Sequence, residues 1–191
     1  MKNIAVFASG SGSNAEQIAK YFEGHPEMRI VAILTNNPKA GVIERAKNFN
    51  LPYKVFSKAG FYQGDEVLNY LIEKKTDCVV LAGFLWLMPH NLLKKFPCMV
   101  NIHPALLPKY GGKGMYGIHV HTAVYKNKET KSGITIHMVN ENYDEGNTIF
   151  QKECDLDPNE QPEDIAKKVL KLEHYYYPRV IEDLIRNACK K

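Results

Sequence analysis

The stretch NIAVFASGSGSNA, residues 3–15, decides the fold. Six residues of almost unbroken apolar character give way to a run of Gly and Ser and then to a helix-forming segment. An apolar run with no alternation is expected of a strand covered on both faces, as in a parallel sheet. Gly10 and Gly12 let backbone amides approach an anion at the positively polarised N-terminus of the helix that follows. Ser11, Ser13 and Asn14 add side-chain donors. Gly10-x-Gly12-x-x-Ala15 formally matches a dinucleotide fingerprint, which also asks for an acidic residue at the end of the second strand. That place reads LTNNP, residues 34–38, with Asn36 and Asn37, so a phosphate monoester is favoured over a dinucleotide. No Gly-Lys-Ser/Thr follows, so a nucleotide-kinase P-loop is not supported.

Outward from this stretch the same unit repeats. Apolar runs at 29–35, 53–56, 78–83 and 98–102 alternate with helical segments at about 14–23, 40–49, 62–75 and 89–95. The pattern predicts a doubly wound α/β fold with a mostly parallel sheet. After residue 131, SGITIHMVN and GNTIFQKECDL flank the polar turn ENYDEG, which predicts an added hairpin-like pair. A long final helix begins near Pro162, with a stripe of Ile165, Val169, Leu172, Tyr176, Val180 and Leu184, and Pro178 is expected to kink it.

The 191 residues, 45% hydrophobic and 24% charged, predict one globular domain, about 1–100 serving the phosphate and about 101–191 the catalysis. The longest apolar run, CVVLAGFLWLM at 78–88, is too short to span a bilayer, so no membrane association is expected. The N-terminal apolar stretch is too short for a secretory segment, and a cytoplasmic protein is expected. Net charge is +4 with lysines scattered rather than massed, which suits a small phosphorylated substrate as well as a polyanion, and no nucleic-acid partner is expected. Cys78, Cys98, Cys154 and Cys189 form no CxxC pair, so neither a disulfide nor a zinc site is expected. His119 and His121 form an HxH pair near His103 and His137, but two residues apart on a helix they point away from each other, so no metal is expected.

Candidate catalytic chemistry lies in CMVNIHPALLPKYGG, residues 98–112. A strand ending Asn101-Ile102-His103 sends Asn101 and His103 to one face, roughly 6 to 7 Å apart. Pro104 then stops the ladder. An asparagine amide can donate to a developing oxyanion, and a histidine can donate or shuttle a proton. Asp144, in the turn between two strands, is the candidate carboxylate to orient the histidine. No protein nucleophile stands in an activated setting, so the set points to direct acyl transfer between two bound substrates.

The motifs SGSGSN, VVLAGF, NIHPALLPKYGG, HVH, GITIHMV, YDEG and LEHYYYP occur in an order that resembles the phosphoribosylglycinamide formyltransferases, folate-dependent enzymes of purine biosynthesis, over essentially the whole chain. NIHPALLPKY is shared with other formyltransferases and formyltetrahydrofolate deformylases. The resemblance implies 10-formyltetrahydrofolate as cosubstrate and glycinamide ribonucleotide as acceptor, in a monomer or homodimer. It implies that Asn101 and protonated His103 stabilise the oxyanion, with Asp144 in support. Gly12, Ser13 and Asn14 would hold the substrate phosphate, and Glu173 its ribose or glycinamide end. The folate would lie against Leu85, Trp86, Leu87 and Met88 and the loop 140–144, with Asn101, Asn140 and Tyr143 in contact. The alternatives are formyltetrahydrofolate hydrolysis, formylation of another amine, or a non-catalytic phosphate-ligand sensor. The chain departs from the family in the longer segment GGKGMYGIHVH, in Gly64 where many members carry a basic residue for the folate tail, and in Asn147 where proline is common.

Overall fold

A computed structural model describes residues 1–188; Cys189 lies outside the described residues. Strands β1 (Lys2–Phe7), β2 (Met28–Thr35), β3 (Tyr53–Val55), β4 (Cys78–Leu81), β5 (Met99–His103), β6 (Lys131–Met138) and β7 (Thr148–Asp155) form one sheet. Their order is β3-β2-β1-β4-β5-β6-β7. The first five are parallel, and β6 and β7 add antiparallel at one edge. The doubly wound expectation is met, and the hairpin-like pair continues the sheet.

Helices α1 (Ser13–Phe22), α2 (Val42–Asn48), α3 (Lys58–Tyr62), α4 (Glu66–Glu73), α5 (His90–Lys95), α6 (Ile118–Lys126) and α7 (Pro162–Ala188) cover the sheet. Strand β1 shows why. Ile4 and Val6 join one core with residues of α1 and α7, whereas Ala5 and Phe7 join another with Phe56, Phe61 and Phe84. Successive residues face opposite layers, so a strand between two layers must be apolar throughout.

Two local expectations change. The single helix at 62–75 is two, α3 and α4, with Gln63–Asp65 between them. Ser57 starts α3 by accepting a bond from the Gly60 amide, and α4 begins afresh after Gly64. The segment after the glycines at 111–117 enters α6, with His119 exposed and His121 buried, so the two histidines do face different ways. The disulfide expectation is overturned: Cys78 and Cys98 are bonded, their Cα atoms 4.8 Å apart. CxxC spacing detects only local pairs. Here the register of neighbouring strands, Val79 beside Met99, brings together cysteines 20 residues apart. Helix α7 runs on through Pro178.

The strand order reverses between β1 and β4, where the connections run to opposite sides. Crevices of doubly wound sheets open there, beyond the strands' carboxyl ends. The glycine loop leaves β1 at this point, and Ser9 donates its amide to the Gly83 carbonyl at the end of β4.

Candidate active site

A cavity of about 750 Å³ occupies this crevice, within the range of ligand sites. Its floor is the glycine loop Ser9–Asn14 and residues 82–85. One wall is the end of β5 with Tyr143 and Asp144, and the other is the segment Gly112–Ile118 with His121, Leu170 and Glu173.

At the floor, Gly12 is the N-cap of α1 with φ 74°, a left-handed conformation. A Cβ there would sit 2.5 Å from Val42 Cγ2. Only glycine serves both demands. The first turn of α1 leaves amides without intrahelical acceptors, and Glu16 is the first whose amide reaches back, to the Gly12 carbonyl. Asn14 Nδ2 is committed elsewhere: it donates to Glu173 Oε2 at 2.6 Å. Asn14 Oδ1 is buried without a protein partner. Burial pushes the Glu173 carboxyl up to about 7, against the Asn14 bond that pulls it down. A buried carboxyl balanced between its two forms near neutrality thus faces the cavity beside the phosphate-type loop.

At the wall, β5 and β6 align Asn101 with His137. His137 Nδ1 donates to the Met138 carbonyl at 2.8 Å, which leaves Nε2 as an acceptor for Asn101 Nδ2 at 3.1 Å. The second Asn101 amide hydrogen faces Asp144 Oδ1 at 3.5 Å, a long contact. Asp144 sits at φ 58° in the β6–β7 turn, a conformation aspartate tolerates. The turn can close on β6 because Gly146 has no Cβ, which would collide with the Met138 carbonyl.

His103 is 4% exposed. Its Nε2 lies 2.7 Å from the Tyr110 carbonyl, so Nε2 carries the proton. Nδ1 then presents its lone pair 3.4 Å from Asp144 Oδ2. Burial lowers the imidazole's pKa, while Asp144 and the Tyr110 carbonyl raise it and His137 lowers it further. Burial pushes Asp144 up, but the neighbouring His137 and His103 rings and the Gly112 amide that donates to it outweigh burial and hold the carboxyl below its ordinary value. The resting pair is therefore a neutral imidazole beside a carboxylate. A proton arriving at Nδ1 converts the 3.4 Å contact into a charge-assisted bond.

Asn101, His103, Asp144, Gly12, Ser13, Asn14, Glu173, Leu85 and Tyr143 thus line one cavity. Trp86, Leu87, Met88 and Asn140 do not line it. Trp86 packs with Phe56, Phe61, Tyr62 and Phe84, Met88 is 4% exposed in the core, the Leu87 carbonyl accepts from Tyr62, and Asn140 accepts from the Asn142 amide within its turn. Sequence reading weighed His137 and His121 only as metal ligands. The signal for His137 is a titratable side chain in the otherwise uncharged strand run GITIHMV. His121 is 5% exposed, and burial, reinforced by the nearby His103 ring, lowers it to about 4. Among the described residues no group of His, Cys, Asp or Glu is placed to hold a metal ion, and no helix is long and apolar enough to cross a membrane.

The chain is 42% identical to the chloroplastic phosphoribosylglycinamide formyltransferase of Arabidopsis thaliana, over 99% of this chain and 67% of that protein. It spans 61% of the Vigna unguiculata relative of the same name, at 38% identity over 96% of this chain. With the phosphoribosylglycinamide formyltransferase of Bacillus subtilis (strain 168) identity is 35%, covering 97% of this chain and 95% of that one. The crystal structure of phosphoribosylglycinamide formyltransferase from Bacillus halodurans is similar at a TM-score of 0.86 and 33% identity, covering 98% of this chain and 97% of that one. Residues 2–181 match the formyl transferase family. With that match spanning nearly all of a doubly wound sheet whose carboxyl edge carries the Asn101, His103 and Asp144 cluster, the chain belongs to the formyl transferase family.

Proposed function

We propose that the protein transfers the formyl group of 10-formyltetrahydrofolate to the amine of 5-phosphoribosylglycinamide in purine biosynthesis, yielding formylglycinamide ribonucleotide and tetrahydrofolate. The observation that carries this reading is one cavity with two chemically distinct ends: an anion-binding helix start with Glu173, and the Asn101, His103 and Asp144 cluster. An acceptor with a phosphate at one end and an amine at the other matches that polarity. The cavity volume accommodates two ligands meeting between the ends.

The cosubstrate supplies the formyl carbonyl. Asn101 acts as donor to its oxygen, because the amide hydrogen facing Asp144 at 3.5 Å is only weakly engaged and stays open to a better acceptor placed before it. His137 fixes the plane of that amide through the other hydrogen. His103 Nδ1 takes the proton that the attacking amine gives up, and Asp144 stabilises the imidazolium so formed. The same proton then leaves for the departing folate nitrogen. Protonated His103 adds its positive charge to the stabilisation of the carbonyl oxygen, while Asn101, His103 and Asp144 carry the catalysis.

Backbone amides of Gly12, Ser13 and Asn14 hold the phosphate at the start of α1. Glu173, in its ionised form, accepts from the ribose hydroxyls or the glycinamide end. The folate ring lies against Leu85 and the end of the loop that carries Tyr143 and Asp144, the parts of the two segments 85–88 and 140–144 that reach the cavity. Leu85 and Tyr143 meet it from the cavity wall, and Asn101 adds a polar contact. The chain works as one domain, with about 1–100 binding the phosphate and about 101–191 holding folate and catalysis. It acts in the cytoplasm as a monomer or homodimer on small molecules, with no nucleic-acid partner.

The test is the absorbance change on mixing protein with 10-formyl folate and glycinamide ribonucleotide, beside a reaction without ribonucleotide and a His103→Ala control. Ribonucleotide-dependent turnover lost in the variant supports the reading. Formate release without ribonucleotide replaces it with a hydrolase. Ligand binding without turnover replaces it with a sensor.

A further inference from the structure

The segment Tyr110–Gly112 touches both members of the His103–Asp144 pair. The Tyr110 carbonyl accepts from His103 Nε2 at 2.7 Å, and the Gly112 amide donates to Asp144 Oδ2 at 2.9 Å. Between them Gly111 packs so closely that a Cβ would lie 2.6 Å from Leu107 Cδ2 and 3.3 Å from Asp144 Cβ. Tyr110 itself stands at φ 59°. A bulky aromatic residue adopts the left-handed region only when its surroundings impose it. The side-chain anchor is at hand. Tyr110 Oη and Lys109 Nζ each donate to Glu129 Oε1 at 2.9 Å. Glu129 lies just past the end of α6, outside the cavity lining.

We propose that Glu129 is a positioning residue for the reaction: by holding Lys109 and Tyr110 it aims the Tyr110 carbonyl at His103 Nε2 and the Gly112 amide at Asp144. The Tyr110 carbonyl cannot donate, so it selects the tautomer with the proton on Nε2 and leaves Nδ1 as the proton acceptor. A histidine held in the wrong tautomer loses its role even where the overall geometry survives. The charged and titratable groups around His103 are Asp144 from the β6–β7 turn, His137 from β6 and His121 from α6. None of these selects Nε2. Around Glu129 they are Lys109 and Tyr110, with Asn127 bonding the tyrosine hydroxyl.

The turnover arm of the test rests on the proposed formyl transfer, whereas the spectroscopic arm does not. Nitrogen-15 spectra of the imidazole rings are recorded for the wild type, Glu129→Ala, Glu129→Gln and Tyr110→Phe, with His103→Ala used to assign the His103 signals. His103 is expected as the Nε2–H tautomer in the wild type, as a mixture in Glu129→Ala and Tyr110→Phe, and largely restored in Glu129→Gln, whose amide oxygen still accepts. With glycinamide ribonucleotide and 10-formyl folate, kcat falls about 10-fold in Glu129→Ala with KM for both substrates little changed. The Glu129→Ala, Tyr110→Phe double variant is no slower than Glu129→Ala, because the two act through one path. An unaltered His103 tautomer in Glu129→Ala overturns the inference whatever the wild-type turnover is. Wild-type protein with no turnover but the expected tautomer shift overturns the formyl-transfer reading and leaves the positioning role standing.

Discussion

Replacing Asp144 by asparagine tests the core of the proposed chemistry with almost no change of shape. In the wild type the carboxylate faces His103 Nδ1 at 3.4 Å, and both side chains are nearly buried, at 5% and 11% exposure. One positive and one negative charge at that separation attract by about 5 kcal/mol at an effective dielectric of about 20. Partial development of the charge on His103 and relaxation of the neighbours reduce this to about 3 to 4 kcal/mol. At about 1.4 kcal/mol per decade, kcat is expected to fall about 10²- to 10³-fold. KM for the ribonucleotide stays within about threefold, because the carboxylate acts on the histidine and not on the phosphate end. Unfolding in urea at neutral pH is expected to weaken by about 1 kcal/mol, because the carboxylate is replaced by a weaker acceptor for the Gly112 amide while the resting imidazole is neutral. The assay is steady-state turnover with saturating 10-formyl folate, paired with a urea melt of each protein. A folded variant whose kcat lies within threefold of wild type refutes the role of Asp144 in carrying the imidazolium.

The remaining predictions concern neighbouring parts. Glu173, raised to about 7 from the ordinary carboxyl range, favours the folded state when protonated. Its contribution is full below about pH 4.5, is lost as pH rises through about 7, and amounts to about 3 kcal/mol across that window. Urea melts of wild type and Glu173→Gln at pH 5 and pH 8 measure it: the variant gains on wild type at pH 8, and parallel pH profiles would contradict the burial argument. Gly12→Ala forces a Cβ against Val42 at a left-handed position and is expected to cost about 1 to 3 kcal/mol of stability. Isothermal titration with inorganic phosphate should show binding weakened at least tenfold. Tyr177, fully buried, shares its hydroxyl hydrogen between the Leu81 carbonyl at the end of β4 and the Val100 carbonyl of β5. Tyr177→Phe is expected to lose about 1 to 2 kcal/mol in a thermal or urea melt, with kcat little affected; an unchanged melt would show that these carbonyls find other donors.

Some of this was legible in the sequence because its physical cause is local. A strand sandwiched between helical layers must be apolar at every position, so NIAVFA, RIVAILT and CVVLAG announce a parallel sheet by themselves. A glycine pair between strand and helix marks a turn where a side chain would be in the way, and at Gly12 a Cβ would sit 2.5 Å from Val42 Cγ2. Period two places Asn101 and His103 on one face of β5 without any knowledge of their neighbours.

What meets them is decided elsewhere. His137 reaches Asn101 through the antiparallel register of β5 and β6, and Glu173 reaches Asn14 across 159 residues of chain. Cys78 and Cys98 bond because two parallel strands happen to set them level. The raised Glu173 carboxyl and the lowered His103 imidazole arise from burial, which is a property of the closed structure and not of the residue type. Side-chain periodicity is written into the chain by backbone geometry over a few residues. Partnership, burial and the choice of which histidine nitrogen holds the proton depend on the registers and loop positions that exist only once the sheet has assembled.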